Sequence, residues 1–278
     1  MKIAISAEST IDLPQELRDK FNIHTVPFTV IMGEKEFLDG EVDSIKIFEF
    51  VKKTGVLPKT SAVNTDQYLK HFTTLLKSHD AIIHFTLSSE MSSAYKNACD
   101  VAATMKNVYV IDSRSLSTGI ALLAIKASEM ANNNVPAEDI VKTCKELTPL
   151  VRASFILDKL DYLKKGGRCS ALVAFGANLF QIKPQIVVSN GKMIVGKKYI
   201  GKYDKNVNRY CQDTLAANLE VDTSCAFITY TTATLGQIED ARNALLQKGF
   251  KNIYETTAGG TISSHCGPNT LGILFIAK

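Results

Sequence analysis

The chain has 278 residues, 45% of them hydrophobic and 22% charged, with a formal net charge of +4. That is ordinary for a globular protein with a sizeable core, and it excludes a disordered or low-complexity chain. No Lys/Arg-rich run marks a phosphate-backbone surface, so nucleic acid is not expected, and the mild positive charge leaves room only for transient contact with a membrane surface. Six cysteines, at 99, 144, 169, 211, 225 and 266, form no C-x-x-C pair and none sits at zinc-ligand spacing from a histidine, so no metal site is expected. No stretch approaches the ~20 apolar residues of a bilayer span, and residues 1–10 carry no long apolar signal core, so the expectation is a cytoplasmic protein with reduced thiols.

In chain order, "KIAIS" (2–6) reads as a buried strand. Asp12 then reads as an N-cap, with Pro14 in the first turn of a helix over "QELRDKF". Residues 24–38 carry β-branched and aromatic residues around a Gly-Glu-Lys turn, which predicts a small hairpin or flap. Asp43 caps a helix that Gly55 closes, "VLPKTSAVNT" is a loop, and Thr65 caps the next helix. "AIIHFTL" and "NVYVID" are strands that alternate with helices over "SAYKNACDVAATM" and "LSTGIALLAIKASEMANN", and Pro136 opens one more helix. Such alternation predicts a mainly parallel sheet flanked by helices.

After Pro149 the order changes. "RASFILD" is a strand, "KLDYLKKGG" a short helix with a glycine stop, and "SALVAFGANLF" a helix. "PQIVVSNGKMIVG" places Asn-Gly between two β runs, a strong hairpin signal. Helices near 203–219 and 233–248 flank the strand "CAFITY", and "NTLGILFIAK" is a last strand. The chain thus divides into an α/β domain over 1–150 and a second α/β domain over 151–278 with a mixed, partly antiparallel sheet.

Four stretches could carry chemistry. "HFTLSSEMSSAY" (84–95) sets Ser88, Ser89, Ser92 and Ser93 where a strand hands over to a helix. The hydroxyls fit a nucleophile, an anion site at a helix start, or a plain cap. "PKTSAVNT" offers Thr60 and Ser61. "LKKGGRCS" sets Arg168 after two glycines, where a guanidinium can hold a carboxylate or phosphate. "ISSHCGPNTLG" puts His265 in a polar loop. G-x-G-x-x-G, the P-loop, the G-x-S-x-G elbow and H-E-x-x-H are all missing, which argues against dinucleotide, P-loop nucleotide, α/β-hydrolase and zincin chemistry.

Taken together, seven stretches resemble the DegV family of bacterial fatty-acid-binding proteins, from end to end of the chain. They are "ISAESTIDLP", "PKTSAVN", "LSSEMSSAYKNA", "IDSRSLSTG", "LDYLKKGGRCS", "LFQIKPQIVVSNGKM" and "SSHCGPNTLGILF". The resemblance implies two α/β domains with a long-chain fatty acid such as palmitate, stearate or oleate between them. Its carboxylate would meet Thr60, Ser61, Ser92, Ser93, Arg168 and His265, with Ser92 as a hydrogen-bond partner rather than an attacker. The resemblance also implies a carrier, not an enzyme and without a cofactor of its own, which serves a separate fatty acid kinase that brings ATP and magnesium.

The chain departs from the family pattern at several places. Glu8 replaces Asp, Ala62-Val63-Asn64 replace Gln-Pro-Ser, and Ser93 replaces Gly. After the 190–191 turn the run "GKKYIGK" lacks the family's Arg, and Lys197, Lys198 or Lys202 would act there only as point charges. Two other readings are a serine esterase or acyltransferase using His265, and a small ketone- or sugar-phosphate binder, because the implied fold is similar to the dihydroxyacetone kinase substrate domain.

Overall fold

A computed structural model describes residues 1–169 and 182–278. The helix expected over "SALVAFGANLF" falls at 170–180 and lies outside the described residues. The first sheet has four parallel strands: β1 (Ile3–Glu8), β2 (Ile23–Val26), β6 (Ala81–Thr86) and β7 (Val108–Asp112), in the order β2-β1-β6-β7. β6 is buried along its whole length, as a strand covered on both faces must be. The helices α1 (Gln15–Lys20), α3 (Thr65–Leu76), α4 (Ala94–Ala102) and α6 (Ala137–Leu147) belong to this half of the chain. The strand order reverses between β1 and β6. In open parallel sheets, ligands bind beyond the carboxyl ends of the strands at such a switch point.

The second sheet has six strands: β8 (Val151–Leu157), β9 (Ile182–Ser189), β10 (Lys192–Ile200), β11 (Val221–Tyr230), β12 (Asn252–Thr257) and β13 (Thr270–Ala277). Their order is β10-β9-β8-β13-β11-β12. β11 and β12 run parallel and the other pairs antiparallel, so the sheet is mixed as expected. Asn190 and Gly191 both have positive φ, 49° and 78°, which gives the tight turn their sequence predicts. α8 (Tyr203–Ala216) and α9 (Leu235–Lys248) share a core with β8, β11 and β13.

Between the sheets runs α5 (Thr118–Asn132), whose residues 118–125 are all buried. It touches β1, β2 and β6 on one side and β8, β11 and β13 on the other. A helix apolar all round is a core helix, and here one continuous core joins Ala4 and Ile83 of the first sheet to Phe155 and Leu274 of the second. Among the described residues no helix is long and apolar enough to cross a membrane.

A third sheet, β4-β3-β5, is built from β3 (Thr29–Met32), β4 (Lys35–Leu38) and β5 (Lys59–Ser61). It corrects two expectations. Residues 24–26 pair with β1, so the hairpin is confined to 29–38. "PKTSAVNT" is not all loop, because Lys59–Ser61 adds a strand to β3. α2 (Ser44–Thr54), α7 (Asp161–Gly166) and α10 (Gly260–Cys266) complete the fold. The strand β12 and the helix α10 have no counterpart in the sequence reading. "NIYETT" alternates too weakly, and "GTISSHC" has the polar composition of a loop, although in the fold Ser263 and Ser264 donate to the Ala258 and Gly260 carbonyls.

Two caps also move. Asn64, not Thr65, is the N-cap of α3, in a reciprocal capping box with Gln67. Asp12 caps nothing. It sits in the left-handed region, and Pro14 holds the N-cap position of α1. The Asp12 carboxyl is instead buried, taking hydrogen bonds from the Ser117 hydroxyl and from Gly259 N–H at 2.8 Å. Burial pushes its pKa up to about 8, the two hydrogen bonds oppose that rise, and the nearby Asp39 adds to it.

A group with a raised native pKa contributes stability that is complete below its unfolded value and is lost as pH rises through the native one. The protein is therefore expected to lose stability between about pH 4 and 8 through Asp12. Asp12→Asn should flatten that decline in thermal melts. An unchanged slope would remove Asp12 as its source.

Candidate functional site

Glu8 ends β1 and is fully buried. Its carboxylate accepts from the Tyr68 hydroxyl and from Leu87 N–H at 2.6 Å, so it fixes where β6 releases the chain into the serine-rich loop. The four hydroxyls of that loop then divide their work. Ser88, buried, donates to the Gly191 carbonyl at 2.7 Å. Ser89 donates to Asp112 at 2.6 Å. Ser92 accepts from Ala94 N–H at 3.2 Å, at the first turn of α4. Ser93 occupies the N-cap position with helical angles and no side-chain capping bond, and it is exposed.

All six residues singled out in the sequence border one cavity of about 250 Å³ at the switch point: Thr60, Ser61, Ser92, Ser93, Arg168 and His265. Thr60 is the middle residue of β5, paired with Val30, and Ser61 is the exposed last one. His265 lies in the last turn of α10, not in a loop. Its Nε2 is 2.8 Å from Thr60 Oγ1, so it is turned to Thr60 rather than to Ser92 or Ser93. Its Nδ1 is buried without a partner, so no carboxylate orients it as a base. Burial and the Arg168 guanidinium push its pKa down to about 4. Arg168 follows α7, is exposed, and donates to the Gly166 carbonyl at 2.8 Å. Gly166 lies against the imidazole, since a Cβ there would stand 2.6 Å from Nδ1.

The sequence reading missed Thr261. It lines the cavity, and its hydroxyl is buried with no partner. Such a hydroxyl carries a penalty of ~1–3 kcal/mol unless something binds it, so it points to a ligand acceptor. The helical spacing Thr261-Ile262-His265-Cys266 was the available signal: these residues lie on one face of α10. Carbon fills most of the remaining wall, from Phe28, Leu87, Leu116, Leu163 and the pair Met91 and Met193.

Met193 reaches the cavity from the second sheet because the β9–β10 turn is clasped to the first. Arg114 donates to the Asn190 carbonyl and pairs with Glu90 at 3.3 Å, and Lys192 pairs with the other oxygen of Glu90 at 3.2 Å. The close approach requires glycine. A Cβ on Gly191 would stand 2.7 Å from Ser88 Oγ and 2.8 Å from Arg114 Cζ.

A family model described as "Uncharacterised protein, DegV family" matches residues 2–278. A DegV domain-containing protein of Caldanaerobacter subterraneus subsp. tengcongensis is 33% identical, with 100% of this chain and 99% of that protein covered. A protein of Thermotoga maritima named a fatty acid-binding protein is 28% identical, with 98% and 96% covered. The crystal structure of DegV from Bacillus subtilis, described as a fatty acid binding protein, superposes with a TM-score of 0.85 at 27% identity over 100% of both chains.

The His265 imidazole is expected to stay neutral down to about pH 4. Arg168→Gln should move its titration upward by removing a like charge, as followed by NMR. An unmoved titration would show that the guanidinium does not act on the imidazole.

Proposed function

We infer that this chain, which belongs to the DegV family, binds a long-chain fatty acid in the cavity at the switch point. The observation that carries the reading is the cavity's composition. A few hydroxyls, one imidazole and one guanidinium stand in a wall that is otherwise carbon. An amphiphile with one anionic group and a long apolar body fits that pattern. A buried carboxylate is expensive unless hydrogen-bonded. Thr60, Ser61, Ser92, Ser93 and Thr261 offer hydroxyls, the start of α4 offers N–H groups, and Arg168 and His265 complete the set. Each methylene buried against the carbon walls would contribute about 0.8 kcal/mol. The fatty-acid-binding relatives of Bacillus subtilis and Thermotoga maritima support the same assignment.

The finer reading is a cytoplasmic carrier of two α/β domains, 1–150 and 151–278, that touches membranes only in passing. It presents the carboxylate to a separate ATP-dependent kinase and holds the acyl phosphate. Exposed Arg168 in the cavity wall supports this, since it puts positive charge beside the space where a phosphate would form. The orientation of His265 toward Thr60 counts against a serine hydrolase.

Protein purified from bacteria should release a long-chain acid on denaturation, seen by mass spectrometry, and Thr60→Val should weaken rebinding about 10- to 100-fold through loss of a hydrogen bond to a charged group. A cavity that takes up no added fatty acid would sink the reading. In a second assay, the loaded protein with a purified fatty acid kinase and ATP should yield acyl phosphate, trapped as the hydroxamate. Consumption of free acid alone would remove the carrier role while leaving binding intact.

A further inference from the structure

A second cavity, of about 30 Å³, adjoins the first. Leu116, Ile262 and Cys266 stand in the walls of both. Ile262 and Cys266 are four residues apart on α10 and share a face. Leu116 comes from the loop between β7 and α5, where Arg114 and Ser117 both hold positive φ, 50° and 52°. Strained backbone of this kind concentrates at functional sites.

The two cavities differ in chemistry. Five serine and threonine hydroxyls lie in the wall of the second, and each is engaged within the protein. Ser117 donates to Asp12, and Ser154 bonds Tyr210 at 2.9 Å. Thr229 bonds Thr118 at 2.7 Å, Thr231 donates to the Gly267 carbonyl at 2.7 Å, and Thr270 to the Cys266 carbonyl at 3.0 Å. The space they enclose is therefore apolar. The first cavity, by contrast, keeps the unpartnered hydroxyl of Thr261.

The first cavity is also small. Its volume of about 250 Å³ falls below the ~300–1,000 Å³ usual for ligand pockets, so a long acyl chain needs room beyond it. The second cavity is apolar and, among the described residues, shares three wall side chains with the first.

We propose that Leu116, Ile262 and Cys266 form a partition that sets acyl chain length. Short chains end in the first cavity, and the last methylenes of longer ones pass the partition into the second. This rests on the fatty-acid reading above.

The test measures the affinity of saturated acids from decanoate to octadecanoate by competition with a fluorescent fatty acid. The proteins are wild type, Ala258→Val, which narrows the second cavity, and Leu116→Ala, which opens the partition. Thermal melts verify folding of each. Ala258→Val should lower the hexadecanoate-to-decanoate affinity ratio by about tenfold, the worth of roughly two buried methylenes, and Leu116→Ala should raise it. Folded variants that keep the wild-type ratio overturn the partition and leave the fatty-acid reading standing. A wild-type protein that binds no acid of the series overturns both.

Discussion

The cavity depends on one buried carboxyl. Asp12 leaves the end of the first strand–turn unit and holds the Gly259 N–H just ahead of α10 and the Ser117 hydroxyl just ahead of α5. α10 carries Thr261, Ile262, His265 and Cys266, and Leu116 immediately precedes Ser117. Three segments far apart in sequence are thus tied at one point, and two of them, α10 and the Leu116 loop, border the ligand space. Asp39 extends the tie by accepting from Ser9 and from Thr261 N–H. Burial is what chiefly pushes Asp12 toward its neutral form, and the nearby Asp39 carboxyl adds a smaller push.

Accounting for hydroxyls separates scaffold from site. Ser88 and Ser89 are committed to holding other loops, and neither is available to a ligand without loss of a structural bond. Ser92 accepts one N–H and keeps its own proton to donate. Ser93 and Thr261 have no such commitment, one exposed at a helix start and one buried. The same accounting, applied to the smaller cavity, finds its serine and threonine hydroxyls engaged. The change from available to engaged hydroxyls gives the ligand space a polar end and an apolar end, although both ends are lined by serine and threonine.

Much of this was legible in the sequence. Alternating apolar runs gave the parallel strands, Asn190-Gly191 gave the hairpin, and the resemblance picked six residues that the fold brings to one cavity. What the sequence hid has physical causes. Asp12 precedes Pro14 in a sound N-cap context, and only the tertiary structure turns it inward. β5 is three residues long, and its partner β3 is far upstream, so no local pattern reveals it. α10 is a seven-residue helix with Gly260, Thr261, Ser263 and Ser264 among its residues, which are weak helix formers in isolation. Tertiary packing against α2, α7 and β3 makes it a helix, and with it Thr261 and Cys266 join His265 on the cavity face.

The missing Arg after the 190–191 turn gains a different meaning in the fold. Here the turn is gripped from the opposite side by Arg114, which donates to the Asn190 carbonyl, while Ser88 takes the Gly191 carbonyl. The Glu90 pairs with Arg114 and Lys192 face solvent, so salt screens them and they add little. The buried Ser88 bond is unscreened and contributes ~0.5–1.5 kcal/mol. A clasp of that total strength is small beside the core that joins the two sheets through α5. Met91 and Met193, the side chains it brings to the cavity, are unbranched and adaptable. The wall next to the turn is therefore the part of the cavity that can yield without breaking the core, and the wall of α10, pinned through Asp12, is the part that cannot.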